Sequence, residues 1–290
     1  MPQHRLSPPL ITLTTDFGLS DTYVSVMKGV MLSIAPLARL VDITHQIAPQ
    51  NSREASIKLE SAVPFFPPGT VHLVVVDPGV GSMRKNCVVE TKRAFYVAPD
   101  NGVLTLPLRL DPPVRAVHFT DNCTPYALQT VSATFHGRDL FAPIAAHIAS
   151  GLDMEQLGDM WIADSESQCP LISLDFPEPA LSADGSLLCS ILYIDHFGNI
   201  ITNLGSNMLK NWMANTLPCS IAIQSKEVKW KGISRTFADV APGEPLAYVG
   251  SSGRLELAVR DGNAAAQLGA SLDSSFLLKK EHSSQNLVSH

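Results

Sequence analysis

Strand and helix signals alternate through the N-terminal part of the chain, and this alternation constrains the fold more than any other feature. Apolar, β-rich runs stand at "LITLTT" (10–15), "ARLVDIT" (38–44) and "TVHLVVVD" (70–77). Between them, helix patterns cover 21–35 and 51–66. Parallel strands joined by crossover helices produce this order, and a strand that is apolar on nearly every residue is covered on both faces. The sequence therefore predicts an α/β domain with a mainly parallel sheet.

Local signals predict where the first two helices begin and end. Asp21 is the expected N-cap of the first helix, and Asn51 is the expected N-cap of the second. Pro64 should stop the second helix because proline lacks the N–H group that a helix interior needs.

Two further elements complete the predicted N-terminal domain. The segment 86–102 holds two short strands that meet at Lys92–Arg93, which predicts a hairpin at the edge of the sheet. A helix is predicted from Arg138 to Ser150, and Gly151 stands just beyond its end.

The C-terminal part changes character. Residues 172–186 are rich in proline and acidic side chains without periodicity, so we interpret them as a linker. Short strand signals dominate afterwards, which predicts a small all-β, barrel-like domain. The predicted domains are 9–171 (α/β) and 187–278 (barrel-like), with loose tails at 1–8 and 279–290.

Charge and hydropathy exclude several classes of protein. The formal net charge is −6, and a basic surface is what carries affinity for nucleic acid and for anionic membranes. No apolar run approaches the ~20 residues of a membrane span. We therefore expect no nucleic-acid partner and no membrane partner.

Cysteine usage indicates a reducing compartment. The chain has five cysteines, an odd number, without CxxC spacing. A disulfide framework or a zinc site is not expected in a chain of this length. Cys87 and Cys189 stand in apolar runs and are predicted to be buried. The N-terminus has no signal-type apolar region, so we expect a cytoplasmic protein.

Two aspartates follow predicted parallel strands. Asp16 comes after the first strand in "TTDFG", and Asp77 comes after the third in "VVVDPGVGS". Ligands of open parallel sheets bind beyond the carboxyl ends of the strands. A single Asp after a strand is more often a turn residue, but two beside glycines at one edge indicate a binding site.

Two other chemistries are not supported by neighbouring motifs. "GVGSMRK" is followed by a strand instead of the helix that a phosphate loop requires. His136, Arg138 and Asp139 in "FHGRD" would suit a metal, but no second His lies near in the sequence. Alone, His136 is predicted to be a capping or a core histidine, and Arg138 and Asp139 are predicted to lie in the first helical turn; we expect no metal.

Two segments of the second domain allow both a turn and a ligand site. "YIDHFGNIITN" (193–203) predicts a β-turn with Asn199 in a left-handed conformation, or a purine site in which Phe197 stacks and the Asn amide meets the base edge. "GSSGRLELAV" (250–259) predicts a solvated hairpin, or a site in which Glu256 binds an ammonium group. Taken alone, each segment favours the turn.

The order of these motifs resembles one known family. "TTDFG", "DITH", "VVVDPGVGS", "FHGRD", "DHFGN" and "SSGRLELA" follow one another as in the S-adenosyl-L-methionine (SAM) hydrolases that form adenosine, also called SAM hydroxide adenosyltransferases, which are related to fluorinase and chlorinase. The resemblance spans roughly Leu10 to Gly269. It implies an α/β domain followed by a β-barrel domain, and a homotrimer with active sites between neighbouring subunits.

The resemblance also implies a reaction in which SAM and water give adenosine and L-methionine, with SAM as the substrate and no cofactor. The family's catalytic Asp, Arg and His match Asp77, Arg84 and His136 of this chain. Asp16 matches the carboxylate that binds the ribose hydroxyls. The matching adenosine and methionine positions are Asp195, Phe197, Asn199, Ser251, Ser252, Glu256 and Val259.

Two departures separate this chain from the halogenases of the family. It has Gly79, Val80 and Gly81 where the halogenases carry bulkier and hydroxyl-bearing residues, and Gln50 where they carry an aromatic residue. Both favour a hydrolase. A SAM-dependent halogenase and a non-catalytic SAM- or adenosine-binding protein are the alternatives.

Overall fold

The structure, a computed structural model, describes residues 8–120, 125–163, 169–213, 219–223, 226–229, 232–272 and 274–280. The chain divides into two compact units, Met1–Leu174 and Asp175–His290. Among the described residues, no helix is long and apolar enough to cross a bilayer.

A mixed sheet forms the centre of the first unit. Its strands are β1 (Leu10–Thr15), β2 (Arg39–Thr44), β3 (Thr70–Val75), β4 (Asn86–Thr91), β5 (Ala94–Pro99), β6 (Pro113–Phe119) and β7 (Met160–Ile162), in the spatial order β2-β1-β3-β5-β4-β6-β7. The pairs among β2, β1, β3 and β5 are parallel, which confirms the α/β prediction for this half. The pairs beyond β5 are antiparallel, so the sheet is only half parallel.

The predicted hairpin exists, but its predicted position is wrong. β4 and β5 pair through a turn at Lys92–Arg93. They lie inside the sheet because β6 pairs with β4 and β7 pairs with β6. β6 carries Arg115 and His118 among its apolar residues, and this mixed composition hid its strand signal.

Helices cover both faces of the first sheet. They are α1 (Tyr23–Ile34), α2 (Ser52–Ala62), α3 (Thr105–Leu110) and α4 (Ala142–Ala149), and a π-helical turn (Gly137–Phe141) precedes α4. β3 is buried along its whole length, with alternate residues in two different apolar clusters, as its sequence predicted.

Of the two predicted helix N-caps, one is confirmed and one is wrong. Asn51 caps α2 by accepting a hydrogen bond from the Glu54 N–H at 3.0 Å, as predicted. The predicted cap Asp21 is wrong, because Thr22 holds the N-cap position of α1 and makes no side-chain capping bond. Gly151 follows α4 with a φ of +100°, which only glycine adopts readily.

The second unit holds an antiparallel sheet. Its strands are β8 (Ala180–Leu181), β9 (Leu187–Ile194), β10 (Ile200–Gly205), β11 (Cys219–Ile223), β12 (Lys226–Lys229), β13 (Pro245–Val249), β14 (Arg254–Val259) and β15 (Ser275–Lys280), with helices α5 (Ser206–Met213) and α6 (Ala264–Leu268). The pairs trace a path β12-β11-β15-β9-β10-β14-β13, and β8 joins β9. Among the described strands the two ends of this path do not pair, so closure into a barrel stays a prediction.

Residues 172–186, predicted as a linker, are tied to their surroundings. The Leu174 N–H donates to Thr105 Oγ1 at 2.9 Å, and the Asn203 side chain donates to the Pro177 carbonyl at 2.9 Å. β8 extends the second sheet from within this segment. The predicted C-terminal tail begins inside β15, whereas residues 1–7 and 281–290 lie outside the described residues.

Candidate active site

The carboxyl ends of β1 and β3 meet at one edge of the first sheet. Thr15, the last residue of β1, pairs in register with Val75, the last residue of β3. Asp16 and Asp77 follow these strand ends, so both carboxylates come to the same edge, as their positions in the sequence predicted. A cavity of about 580 Å³ opens there, and its walls include both aspartates and His136.

Arg84 joins Asp77 to His136. Its Nε donates to Asp77 Oδ1 at 2.8 Å, and its Nη2 donates to Asp77 Oδ2. The same Nη2 lies 2.9 Å from His136 Nδ1. Because a guanidinium only donates, Nδ1 accepts, which places the proton of a neutral His136 on Nε2. The three side chains that the family resemblance brought together therefore form one connected group.

Two further contacts, with Asn86 and Phe141, hold the Arg84 guanidinium. Its Nη1 donates to the Asn86 side-chain oxygen. Its charge lies over the Phe141 ring, 5.4 Å from the centroid, where a cation is attracted by the ring face. Asn86 was not predicted as a site residue, although it follows Arg84 by two positions at the start of β4.

The loop between Asp77 and Arg84 turns tightly because of its glycines. The Ser82 N–H donates to the Gly79 carbonyl at 3.0 Å. Gly81 has a φ of +74°, and a Cβ there would lie 2.7 Å from the Ala133 carbonyl oxygen. Only a glycine fits both constraints. This turn returns Arg84 to the carboxylate from which the loop started.

His136 stands directly before the π-helical turn. Such turns are rare and occur frequently at functional sites. Asp139 within the turn is buried, and it accepts from the Ser132 N–H at 2.8 Å and from Arg138 Nε at 2.5 Å. Burial alone raises the pKa of Asp139, but the Arg138 and Ser132 hydrogen bonds lower it overall. Arg138 and Asp139 thus lie in the first helical turn, as predicted, but this turn is π-helical and His136 at its N-cap position makes no side-chain capping bond.

Asp16, in the wall of the same cavity, is held by a backbone N–H. The Gln50 backbone N–H donates to Asp16 Oδ2 at 2.7 Å. Gln50 has a φ of +66°, a left-handed conformation that is uncommon for a residue with a side chain. Phe17, Tyr23 and Phe135 pack edge-on or tilted near the same cavity, with ring centroids 5.1–5.9 Å apart. The sequence had not singled out this aromatic cluster.

In the second unit, Asp195 organises the turn before β10. Its Oδ1 accepts from the N–H groups of Phe197 and Asn199, and its Oδ2 accepts from the Asn199 side chain, all at 2.9 Å. The left-handed residue is Gly198, with a φ of +83°, so the expectation for Asn199 is wrong. A Cβ at position 198 would collide with Asn263, which is why glycine takes that role.

A cavity of about 760 Å³ lies beside this turn. Phe197 is 72% exposed at the cavity, and Val259 lies in its wall. Two aromatic residues that the sequence analysis missed, Phe237 and Tyr248, also line it, with ring centroids 5.1 Å apart. Phe237 lies in a short turn without periodicity, which left no sequence signal.

Glu256 is connected to this second cavity by a hydrogen bond from Tyr248, which lines it. The Tyr248 hydroxyl donates to Glu256 Oε2 at 2.5 Å. Burial raises the pKa of Glu256, although hydrogen bonds from Tyr248 and Ser252 act in the opposite direction. A Cβ at Gly250 would lie 1.8 Å from Glu256 Oε1, so only glycine leaves room for this carboxylate. Ser251 and Ser252 are exposed in the adjoining turn.

The site residues thus form two groups, one in each unit: Asp16, Asp77, Arg84 and His136 in the first, and Asp195, Phe197, Asn199, Ser251, Ser252, Glu256 and Val259 in the second. Over the part of the chain that the structure describes, no three His, Cys, Asp or Glu side chains are grouped to hold a metal ion.

Two protein-family models match this chain, one within each unit. The family model described as the SAM hydroxide adenosyltransferase N-terminal domain matches residues 11–158, and the model of the C-terminal domain of the same name matches residues 189–276.

Relatives match nearly the full chain. A Thermus thermophilus protein named (R)-S-adenosyl-L-methionine hydrolase is 39% identical, over 88% of this chain and 93% of that protein. One of the same name from Salinispora tropica is 37% identical, over 90% and 94%. A fluorinase from Actinopolyspora mzabensis is more distant at 28% identity, over 87% and 91%. A crystal structure of a conserved protein from Thermotoga maritima superposes with a TM-score of 0.84 at 35% identity, covering 93% of this chain and 99% of that one.

Proposed function

Because the chain belongs to the SAM hydroxide adenosyltransferase family, we propose that it hydrolyses SAM to adenosine and L-methionine. Relatives at 33–39% identity are named (R)-S-adenosyl-L-methionine hydrolase. The observation that carries the proposal on this chain's own residues is the contact of Arg84 with both Asp77 and His136.

The hydrolysis of SAM is a displacement by water at ribose C5′. The water oxygen forms the new bond to ribose C5′, the C5′–S bond breaks with its electron pair on sulfur, and methionine leaves as a neutral thioether. The leaving group needs no proton, but water with a pKa of ~15.7 is a poor nucleophile at neutral pH. The site must therefore position a water in line with the C5′–S bond and favour the loss of its proton.

Each member of the group has a distinct part in the proposal. Arg84 is permanently cationic and stabilises the hydroxide character that develops on the water. His136 Nδ1 has a single lone pair, which Arg84 already occupies. Both Asp77 oxygens accept from Arg84 but keep further lone pairs, so Asp77 is the first acceptor for the water proton. His136 holds the Arg84 guanidinium towards the water.

Substrate binding is assigned to the remaining residues. Asp16 accepts hydrogen bonds from the ribose hydroxyls. Phe197 stacks on the adenine, whose edge meets the Asn199 side-chain amide, because one amide N–H is bonded to Asp195 and the second N–H and the oxygen are left for the base. The Val259 backbone contacts the adenine.

The methionine part has its own group of residues. Glu256 binds the ammonium group, and Ser251 and Ser252 hold the carboxylate. The mechanism uses no metal or other cofactor, and SAM is the substrate. We further propose a homotrimer with active sites between neighbouring subunits and a barrel-like second domain. A cytoplasmic location also stays a prediction.

The loop around Gly81 favours the hydrolase over a halogenase. Gly79, Val80 and Gly81 offer no side-chain hydroxyl to a halide. A non-catalytic binding protein would not need a connected Asp, Arg and His beside the ligand.

Incubation of the protein with SAM in ¹⁸O-labelled water, with and without fluoride or chloride, tests the proposal. We expect adenosine with the label in its 5′-hydroxyl, together with methionine, at a rate that the halides do not raise. A halogenated adenosine would identify a halogenase, and unchanged SAM would identify a binding protein.

A further inference from the structure

A row of four contacting side chains leads to the residue before Asp16, and the proposed mechanism does not use it. Lys28 Nζ lies 2.6 Å from Asp42 Oδ2, and Asp42 Oδ1 lies 3.0 Å from His45 Nε2. His45 Nδ1 lies 2.9 Å from Thr15 Oγ1. Thr15 ends β1 and directly precedes Asp16. The row therefore connects α1 and β2 to the residue before the ribose-binding carboxylate.

An irregularity in β2 makes this row possible. Asp42 and His45 are three residues apart, so a regular strand would point them to opposite faces of the sheet. The pairing between β1 and β2 shifts by one residue, because Leu13 pairs with Asp42 and Thr14 pairs with Thr44. Such a bulge re-aims side chains and is frequent next to active sites. Here it brings Asp42 and His45 onto the same side.

Burial and partners define the hydrogen-bond direction at Thr15. Thr15 is fully buried and His45 is 3% exposed. The Phe17 N–H donates to Thr15 Oγ1 at 3.2 Å. The Asp42 carboxylate, 3.0 Å from His45 Nε2, favours the neutral tautomer with its proton on that nitrogen, although the contact is not aligned as a hydrogen bond. Nδ1 is then the acceptor, and the Thr15 hydroxyl donates to it.

The same histidine also holds the loop through its backbone. The Gly18 N–H donates to the His45 carbonyl at 2.7 Å. The loop is thus fixed at Thr15 through the imidazole, at Phe17 through the Thr15 hydroxyl, and at Gly18 through the His45 carbonyl. Asp42 completes the row as an anion, because its contacts with Lys28 and His45 lower its pKa overall although burial alone raises it.

We propose that Lys28, Asp42, His45 and Thr15 form a positioning relay that sets the orientation of the Asp16 carboxylate towards the ribose hydroxyls. His45 and Thr15 act through Asp16 and do not touch the substrate. The inference rests on the proposed function, because the ribose role of Asp16 is part of it.

Thr15→Val tests the relay, because valine keeps the shape and removes the hydroxyl. Calorimetry with adenosine and with 2′,3′-dideoxyadenosine separates a loss of diol binding from a general loss. We expect Thr15→Val to weaken adenosine binding about tenfold, the effect of one misplaced hydrogen bond to a charged acceptor. Binding of the dideoxy ligand should change less than about twofold, which corresponds to a change of only a few tenths of 1 kcal/mol in binding free energy.

Thr14→Val is the matched control. Thr14 precedes Thr15 on the same strand and is equally buried, but its hydroxyl has no hydrogen-bond partner among the described residues. This variant should bind both ligands as the unmodified protein does. Thr15→Ser, which keeps a hydroxyl, should restore adenosine binding. His45→Gln should reproduce the selective loss if Thr15→Val does not fold.

The binding measurements distinguish a failure of the relay from a failure of the proposed function. Equal losses for both ligands, or a diol preference that survives both Thr15→Val and His45→Gln, would overturn the relay. If the unmodified protein binds adenosine no better than the dideoxy ligand, the ribose role of Asp16 falls, and the relay falls with it. If the unmodified protein also leaves SAM intact, the proposed function fails as a whole.

Discussion

Arg84 donates two parallel hydrogen bonds to Asp77, from Nε to Oδ1 at 2.8 Å and from Nη2 to Oδ2. The side chains are only 9% and 5% exposed. A bidentate pair fixes the planes of both groups, and the contact of Nη2 with His136 Nδ1 extends this order to the imidazole. The positions of the three side chains are thus fixed by their contacts with one another.

Asp77→Asn should abolish most turnover. The amide keeps the shape of the carboxylate but removes its negative charge and its capacity to accept the water proton. We expect kcat to fall by about 10²-fold or more, the usual contribution of a general base. Adenosine affinity measured by calorimetry should change little. A variant that retains full kcat would exclude Asp77 as the proton acceptor.

Gly81→Ala should distort the loop that returns Arg84 to Asp77. Left-handed φ costs an alanine about 1–2 kcal/mol, and the new Cβ would also meet the Ala133 carbonyl at 2.7 Å. We expect lower kcat together with a lower free energy of unfolding. Chemical denaturation and steady-state kinetics on the same preparation measure both.

Gly185→Ala is the control for this experiment. Gly185 has a φ of +81°, close to that of Gly81, but a Cβ there would meet nothing within 4 Å. It should lose stability through backbone strain alone and keep its kcat. Equal kinetic effects in the two variants would show that the contact at Ala133 does not matter.

His72 should make the protein less stable in mild acid. It is buried in β3, and its Nδ1 lies 2.7 Å from Thr12 Oγ1. Burial lowers its pKa from 6.5 to about 4. Between these values the unfolded chain binds a proton that the folded protein does not. The free energy of unfolding therefore falls as the pH decreases through this window, by up to about 1.4 kcal/mol per pH unit.

His72→Phe removes this titration. Denaturation midpoints measured between pH 4 and pH 7 should depend less on pH in the variant than in the unmodified protein. The comparison concerns the slope, because the lost Thr12 contact shifts both ends of the curve equally. Parallel curves would contradict the assignment of the acid sensitivity to His72.

Tyr248→Phe should weaken SAM binding without slowing the chemical step. The Tyr248 hydroxyl orients Glu256, the proposed partner of the methionine ammonium group. Loss of one hydrogen bond to a charged group should raise KM about tenfold, with kcat nearly unchanged. Tyr126→Phe, which removes a hydroxyl bonded to Gln156 far along the chain from these residues, is the control. A lower kcat at constant KM would contradict this role.

Regular patterns made the first half of the sheet predictable. Apolar runs identified β1, β2 and β3, and capping chemistry identified the start of α2. The position of the β4–β5 hairpin was not predictable, because it depends on β6 and β7, whose pairing with β4 is a long-range choice without a local signal.

In the site, too, local patterns were predictable and long-range contacts were not. Strand ends alone brought Asp16 and Asp77 to one edge, since parallel strands end together. His136 lies 52 residues beyond Arg84, and no spacing rule connects them. That contact followed only from resemblance to a family. Gln50 was noted only as a departure from the halogenases, and its contact with Asp16 was not predictable, because it comes from a backbone N–H in a left-handed conformation that the side chain does not indicate.

In the proposed mechanism, Arg84, held by Asp77 and His136, prepares a water for attack on C5′. Arg84→Lys is the sharpest test of this step, because lysine keeps the charge but cannot make the paired contact with Asp77 and reach His136 as well. The measurement is the single-turnover rate at saturating SAM, alongside adenosine affinity by calorimetry. We predict a rate at least about 10²-fold lower, with adenosine affinity unchanged within about twofold. A rate equal to that of the unmodified protein would contradict the account.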